Sequence, residues 1–245
     1  MNLDVILFDL HHTLTAVKED VPSVVRRICM ANDIDLSIYS DEQLESAFIA
    51  ADTAMKKFQL ENNVDSLWGG KAEDWLPFDR VMFEHLGLTA LSDEIILKIE
   101  EEFKYEVRDG DYEFFRSDSL ETINELRSRG YRMGICTRRH DNPHSLIERS
   151  GLLDLFETVQ WSGVIGYAKP SPYTLLVAAK EMGINPQKCA YVGNYVNADV
   201  EAAIRCEMKS ILLTWANPNE GPKAPNETIV LETPLDLLQV FSSRS

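Results

Sequence analysis

Short apolar runs of four to seven residues recur along this chain, separated by segments of helical periodicity, and most of them end on a side chain that carries chemistry. The runs fall at 5–9, 131–137, 157–161, 189–194, 210–215 and 228–231. Helical patterns at 119–129, 143–150, 172–182, 198–206 and 234–241 fill the gaps between them. Strands that alternate with helices require right-handed crossovers, and so a mostly parallel sheet with helices on both faces. The expected fold class is therefore α/β, a doubly wound, Rossmann-like sheet. Residues 15–115 break the alternation. They are expected to be almost purely helical, with helices over 22–30, 41–60, 73–86 and 92–107. Ser40 followed by Gln43 is a capping-box signature at the start of the second. The expected organisation is an α/β core domain from 1–14 and 116–245, interrupted by a helical domain over 15–115. The Pro/Asn/Gly-rich stretch 217–226 is expected to be a surface loop.

Charge follows the same division. Of 40 acidic and 24 basic residues, 23 and 10 lie in 15–115, so the insertion carries −13 of the net −16. A chain this acidic repels phosphate backbones and anionic lipid, which argues against duplex nucleic acid and membrane surfaces as partners. No apolar run reaches the roughly 18 residues that a bilayer span needs. The opening MNLDVILFDL has no basic flank, and Asp4 and Asp9 interrupt its apolar run, unlike a signal peptide. The four cysteines lack C-x-x-C spacing and read as buried or incidental thiols of a reducing, cytoplasmic protein.

In open parallel sheets ligands bind beyond the carboxyl ends of the strands. Asp9, His11 and His12 follow the first run. Thr137, Arg138, Arg139 and His140 follow the second. Lys169 stands in a Gly-Tyr-Ala-Lys-Pro-Ser-Pro segment after the third, and Asn194, Asn197 and Asp199 follow the fourth. One rim would thus gather carboxylates, hydroxyls, imidazoles, arginines and a lysine.

With FDLHHTL, GICT, YAKPSP and VGNYVNAD in this order, the chain resembles the haloacid dehalogenase superfamily, in the branch whose helical cap is inserted after the first strand (the C1-cap, subfamily I type). The resemblance covers essentially the whole core, and 15–115 fit the cap by position and length. It implies a hydrolase in which Asp9 is the nucleophile, forming an aspartyl-phosphate in phosphatases or attacking carbon in dehalogenases. Thr137 and Lys169 correspond to the groups that hold the transferring phosphoryl oxygens and balance the nucleophile's charge. Mg²⁺ would be held by Asp9, the His11 backbone carbonyl, Asn194 and a water-bridged Asp199.

Two positions depart from the phosphatase pattern. His11 replaces the acid that protonates the leaving oxygen and then activates water, and an imidazole can serve in both steps. Asn194 replaces the first metal acid, so the cation site loses one negative charge. Dehalogenases of the family also lack the acid that His11 replaces and need no metal, but they usually carry Tyr at the position of His11 and a Ser-rich fourth motif. Three readings stay open. The first is a Mg²⁺-assisted phosphatase of a small phosphorylated metabolite. The second is a degenerate member that binds without turnover, and the third is a metal-free 2-haloacid dehalogenase-like hydrolase. Arg138 and Arg139 suit a small anionic substrate with a carboxylate or second phosphate, or else pair with the acidic cap. Trp68, Gly69, Gly70, Lys71 and Trp75 resemble a loop that closes over a substrate, or form cap core. A monomer or homodimer is expected.

Overall fold

The computed structural model describes residues 3–108, 110 and 112–243. Two compact units emerge, one joining the chain up to Ala16 with the chain from Glu113 onward, the other Val17–Tyr112. In chain order the elements are β1 (Val5–Phe8), β2 (Thr15–Val17), α1 (Val21–Ala31), α2 (Asp41–Asn62), α3 (Leu76–His85), α4 (Asp93–Arg108), β3 (Glu113–Phe115), α5 (Ser117–Ser128), β4 (Arg132–Thr137), α6 (His144–Arg149), β5 (Thr158–Trp161), α7 (Tyr173–Glu181), β6 (Cys189–Gly193), α8 (Glu201–Arg205), β7 (Lys209–Leu213), β8 (Ile229–Leu231) and α9 (Leu237–Val240).

Six strands form one sheet in the order β5-β4-β1-β6-β7-β8. Every described pairing within it is parallel. The core is thus the α/β doubly wound architecture expected from the alternation. β1 lies inside the sheet and is buried along its whole length, which is why its sequence is continuously apolar rather than alternating. Its side chains still divide by parity. Ile6 and Phe8 join the layer with Ile123, Leu126 and Ile147, whereas Val5 and Leu7 join Leu175, Ala178 and Ala203 on the opposite face. Gly134 in β4 shows how closely these layers approach, since a Cβ there would lie 2.7 Å from Thr158 Cγ2 and 2.9 Å from Leu7 Cδ2.

The crossover from β1 leads to one side of the sheet and that from β6 to the other. The topological switch point, where open α/β sheets form their ligand crevice, is therefore between the carboxyl ends of β1 and β6.

Within the second unit, α1 to α4 share an apolar cluster including Val24, Ile28, Leu44, Met82, Phe83 and Ile96. The capping box forms as expected, Ser40 Oγ accepting from Gln43 N and Gln43 Oε1 from Ser40 N. One correction concerns 15–115, which is not purely helical. β2 and β3 form a two-stranded sheet where the chain leaves and re-enters the core. Three-residue strands are too short to show a period in sequence. Another concerns 198–206, where the helix is preceded by a π-helical turn over Val196–Val200. The stretch 217–226 contains a 3₁₀ helix, Pro218–Lys223, whose Glu220 is buried and accepts from Val196 N at 2.8 Å. No helix among the described residues is long and apolar enough to cross a membrane. All four cysteines are free and buried.

Candidate active site

Asp9 immediately follows β1, and its backbone N–H donates to Val192 O of β6 at 2.8 Å, fixing it at the switch point. The chain then winds around the Leu10 carbonyl, which accepts from the backbone of Thr13, Leu14 and Thr15 and from the Thr15 hydroxyl. His12 adopts a left-handed conformation in this turn (φ 56°). Trp215, beyond β7, pins the same turn by donating its indole N–H to Thr13 O at 3.1 Å. It also stacks on His12, and Arg116 Cζ lies over its ring, 4.0 Å from the centroid. Burial, with the adjacent His11, pushes the His12 imidazole below its ordinary range.

Lys169 is brought to Asp9 from 160 residues away and is buried with it. Its ammonium donates to Asp9 Oδ1 (2.5 Å), Asp199 Oδ1 (2.6 Å) and the Tyr191 hydroxyl (2.7 Å). An ammonium has three N–H donors, and all three are engaged within the protein. Burial opposes the charge on Lys169, yet Asp199 and Asp9 outweigh it and hold the ammonium above its ordinary value. Burial raises the Asp9 carboxyl, the charge of Asp199 adds to the rise, and Lys169 opposes it. Two carboxylates around one ammonium leave a net −1, so Asp9 is a strongly basic oxygen donor held in a dry pocket. Tyr191 donates to Cys136 O at 2.7 Å. Its phenol is pushed well above the ordinary value by burial and by Asp199 and Asp9, so it stays neutral.

The Asp199 side chain is turned inward. Its Oδ2 accepts from the backbone N–H groups of Asn194 (3.0 Å) and Tyr195 (2.9 Å), which orders the turn after β6. Gly193 makes room for it. A Cβ at Gly193 would lie 2.3 Å from both Cβ and Cγ of Asp199. Gly193→Ala is expected to displace that carboxylate and lower stability by about 1–3 kcal/mol, read as the urea unfolding midpoint. An unchanged midpoint would show that the turn adjusts freely.

The donor set bears on a hard cation in a specific way. Among the described residues there is no cluster of three or more His, Cys, Asp or Glu side chains arranged for a metal. Asp199 is committed to Lys169 and two amides, and Asp9 Oδ1 to Lys169. The oxygens left are Asp9 Oδ2 and Asn194 Oδ1, each 3.2 Å from the Thr13 hydroxyl. One hydroxyl proton serves only one of two acceptors, so these oxygens face a common point with unused lone pairs. Among the described residues the buried Asn194 Nδ2 has no hydrogen-bond partner. This set fits Mg²⁺ of the kind held by one carboxylate and completed by waters and substrate oxygens.

The remaining expected residues are placed as follows. Thr137 is buried at the end of β4, beside β1. Among the described residues its hydroxyl has no hydrogen bond to Asp9 or Lys169. Arg138 is exposed. Arg139 turns inward to Glu113 (3.2 Å) and Asp141 (3.0 Å), two acids of the core unit rather than of the helical unit. His11 presents Nδ1 to Glu113 Oε1 at 3.2 Å. Burial would raise the Glu113 carboxyl, but the hydrogen bond from His11 and the charge of Arg139 override it and hold Glu113 down to about 2.

The sequence alone assigns no role to Thr13, Tyr191 or Glu113. Tyr191 carried a legible signal, because a phenol inside a fully buried strand must find a polar partner. Glu113 carried none, since it closes an acidic run that reads as solvated charge.

Residues 3–207 match the haloacid dehalogenase-like hydrolases, and the chain belongs to that family. It is similar to the phosphoglycolate phosphatase of Nitrosococcus oceani, 32% identical over 105 residues that make up 41% of this chain and 46% of that protein. It is also similar to the glyceraldehyde 3-phosphate phosphatase of Methanopyrus kandleri, 30% identical over 95 residues, 38% of this chain and 41% of that one. The chain thus spans less than half the length of these two curated relatives. The crystal structure of 2-haloacid dehalogenase from Pseudomonas syringae pv. tomato superposes with a TM-score of 0.69 over 97% of both chains at 17% identity, which shows the shared fold.

Proposed function

We propose that this chain is a phosphohydrolase of small phosphorylated metabolites that works through an aspartyl-phosphate on Asp9. The observation that supports this reading most directly is the buried Asp9 at the switch point, held by Lys169 at 2.5 Å while its Oδ2 faces the Thr13–Asn194 side. The similarity to two curated phosphatases favours phosphorus over carbon as the atom attacked.

The Asp9 carboxylate attacks phosphorus, and the bond from phosphorus to the leaving oxygen breaks. His11 gives that oxygen a proton, releasing an alcohol. A water then attacks the acyl-phosphate, passing its proton to the now neutral imidazole. The bond from phosphorus to Asp9 breaks, returning the carboxylate and releasing phosphate. Lys169 holds Asp9 in place throughout, and Asp199 and Tyr191 hold Lys169. Thr137 and exposed Arg138 line the rim on which the substrate's anionic groups would rest. Mg²⁺ would be held by Asp9 and Asn194 with the His11 carbonyl, and would supply charge neutralisation for the incoming phosphoryl oxygens.

Phosphate release from a panel of small phosphate monoesters, with Mg²⁺ and with chelator, tests the proposal. Release by the natural chain is expected on at least one ester and to vanish in Asp9→Asn. No release above that variant on any ester, or halide release from chloroacetate in chelator, would overturn it.

A further inference from the structure

Glu113 is one of the most deeply buried carboxylates of the core unit, with 2% of its side chain exposed. Three donors converge on it from three parts of the chain. His11 comes from the turn after β1, Thr15 from β2, and Arg139 from the turn after β4. Oε1 accepts from His11 and Thr15, while Oε2 accepts from Arg139, whose other guanidinium nitrogen binds Asp141. The carboxylate is therefore clamped on both oxygens. The ring it holds is not core packing, because the His11 side chain is 46% exposed. Among the described residues, Nε2 of His11 has no hydrogen-bond partner.

A ring nitrogen's partner decides which tautomer an imidazole adopts and which way it faces. We propose that Glu113 is the positioning residue for His11, fixing the imidazole as the Nδ1–H tautomer so that Nε2 is the nitrogen that exchanges protons with the substrate. The proposal rests on the phosphohydrolase reading and deepens it. A carboxylate at position 11 would need no such partner, whereas an imidazole has two unlike nitrogens and must be oriented. Proton balance agrees with the assignment. When imidazolium gives up its Nε2 proton to the leaving oxygen it becomes the Nδ1–H form, with Glu113 still accepting at Nδ1. Nε2 then holds the lone pair that takes the proton from the attacking water, and the starting state is restored.

Two measurements test this. The first is the imidazole ¹³C and ¹⁵N spectrum of the natural protein in alkaline buffer, with His11 assigned by its absence from the spectrum of His11→Asn. Nδ1–H is expected, and an Nε2–H ring would overturn the proposal without any variant at Glu113. The second compares Glu113→Gln with the natural chain on an alkyl phosphate, whose leaving group needs a proton, and on an activated aryl phosphate, whose leaving group does not. The expected result is a fall in kcat of about 100-fold on the alkyl ester and under about 10-fold on the aryl ester, with KM nearly constant. Equal losses on both esters would mark Glu113 as structural only and overturn the proposal. If the natural chain turns over neither ester, it is the phosphohydrolase reading that fails, and the tautomer still reports separately on whether Glu113 holds His11.

Discussion

Lys169→Met is expected to reduce turnover to the level of Asp9→Asn and to lower stability at neutral pH by about 3–5 kcal/mol, the usual cost of removing one partner from a buried ion pair. Lys169, Asp9 and Asp199 are all nearly inaccessible to solvent. The ammonium is 2.5 Å from Asp9 and 2.6 Å from Asp199. Methionine matches the length of the lysine stem, so packing changes little and the loss reports the charge. Without the ammonium, two carboxylates face each other in a low dielectric, and nothing opposes the burial that already raises Asp9. A group with a raised folded value contributes most below its ordinary value and loses that contribution as pH rises through the raised one. The variant should therefore recover stability relative to the natural chain as pH falls towards the ordinary carboxylate range. The gain is about 1.4 kcal/mol for each pH unit over which Asp9 takes up its proton. Urea unfolding at pH 7 and pH 5 measures it. A variant as stable as the natural chain at pH 7, or a deficit that does not shrink on acidification, would mean that the ammonium is not what holds the two carboxylates together.

The same triad shows what the sequence could and could not disclose. That Asp9, Lys169 and Asp199 share a rim was legible, because each follows an apolar run and parallel topology puts the carboxyl ends of all strands on one edge. That Lys169 gives all three of its protons to protein atoms was not. The third acceptor is Tyr191, a phenol whose polar tip is hidden inside a strand that reads as plain core. Asp199 was legible as an acid near the site, but not as the acceptor for Asn194 and Tyr195. That role depends on the turn geometry and on the missing Cβ of Gly193. His11 could be seen as a departure from an acidic position, while its partner could not. Glu113 is 102 residues away, on a strand three residues long, beyond the helical insertion. Neither spacing nor periodicity links two such positions. They meet only because β2 and β3 pair where the insertion leaves and rejoins the core.

Glu113 should also dominate the acid stability of the core. Its ordinary carboxyl value is 4.5, and in the folded protein it is held at about 2 by His11 and Arg139 against the effect of burial. A depressed folded value gives stability that is fully present above the ordinary value and disappears as pH falls through the folded one. The window is therefore pH 4.5 to 2, and the full contribution is about 3 kcal/mol. Part of it is screened, because the His11 ring that donates to Glu113 is half open to water. Arg139 is not screened in this way, being largely buried between Glu113 and Asp141. The natural chain and Glu113→Gln should differ by a constant amount above pH 5 in urea unfolding. Below pH 4.5 the natural chain should lose its advantage progressively, and the two curves should draw together through pH 2. Curves that stay parallel to pH 2.5 would show that the carboxylate is not ionised through this window.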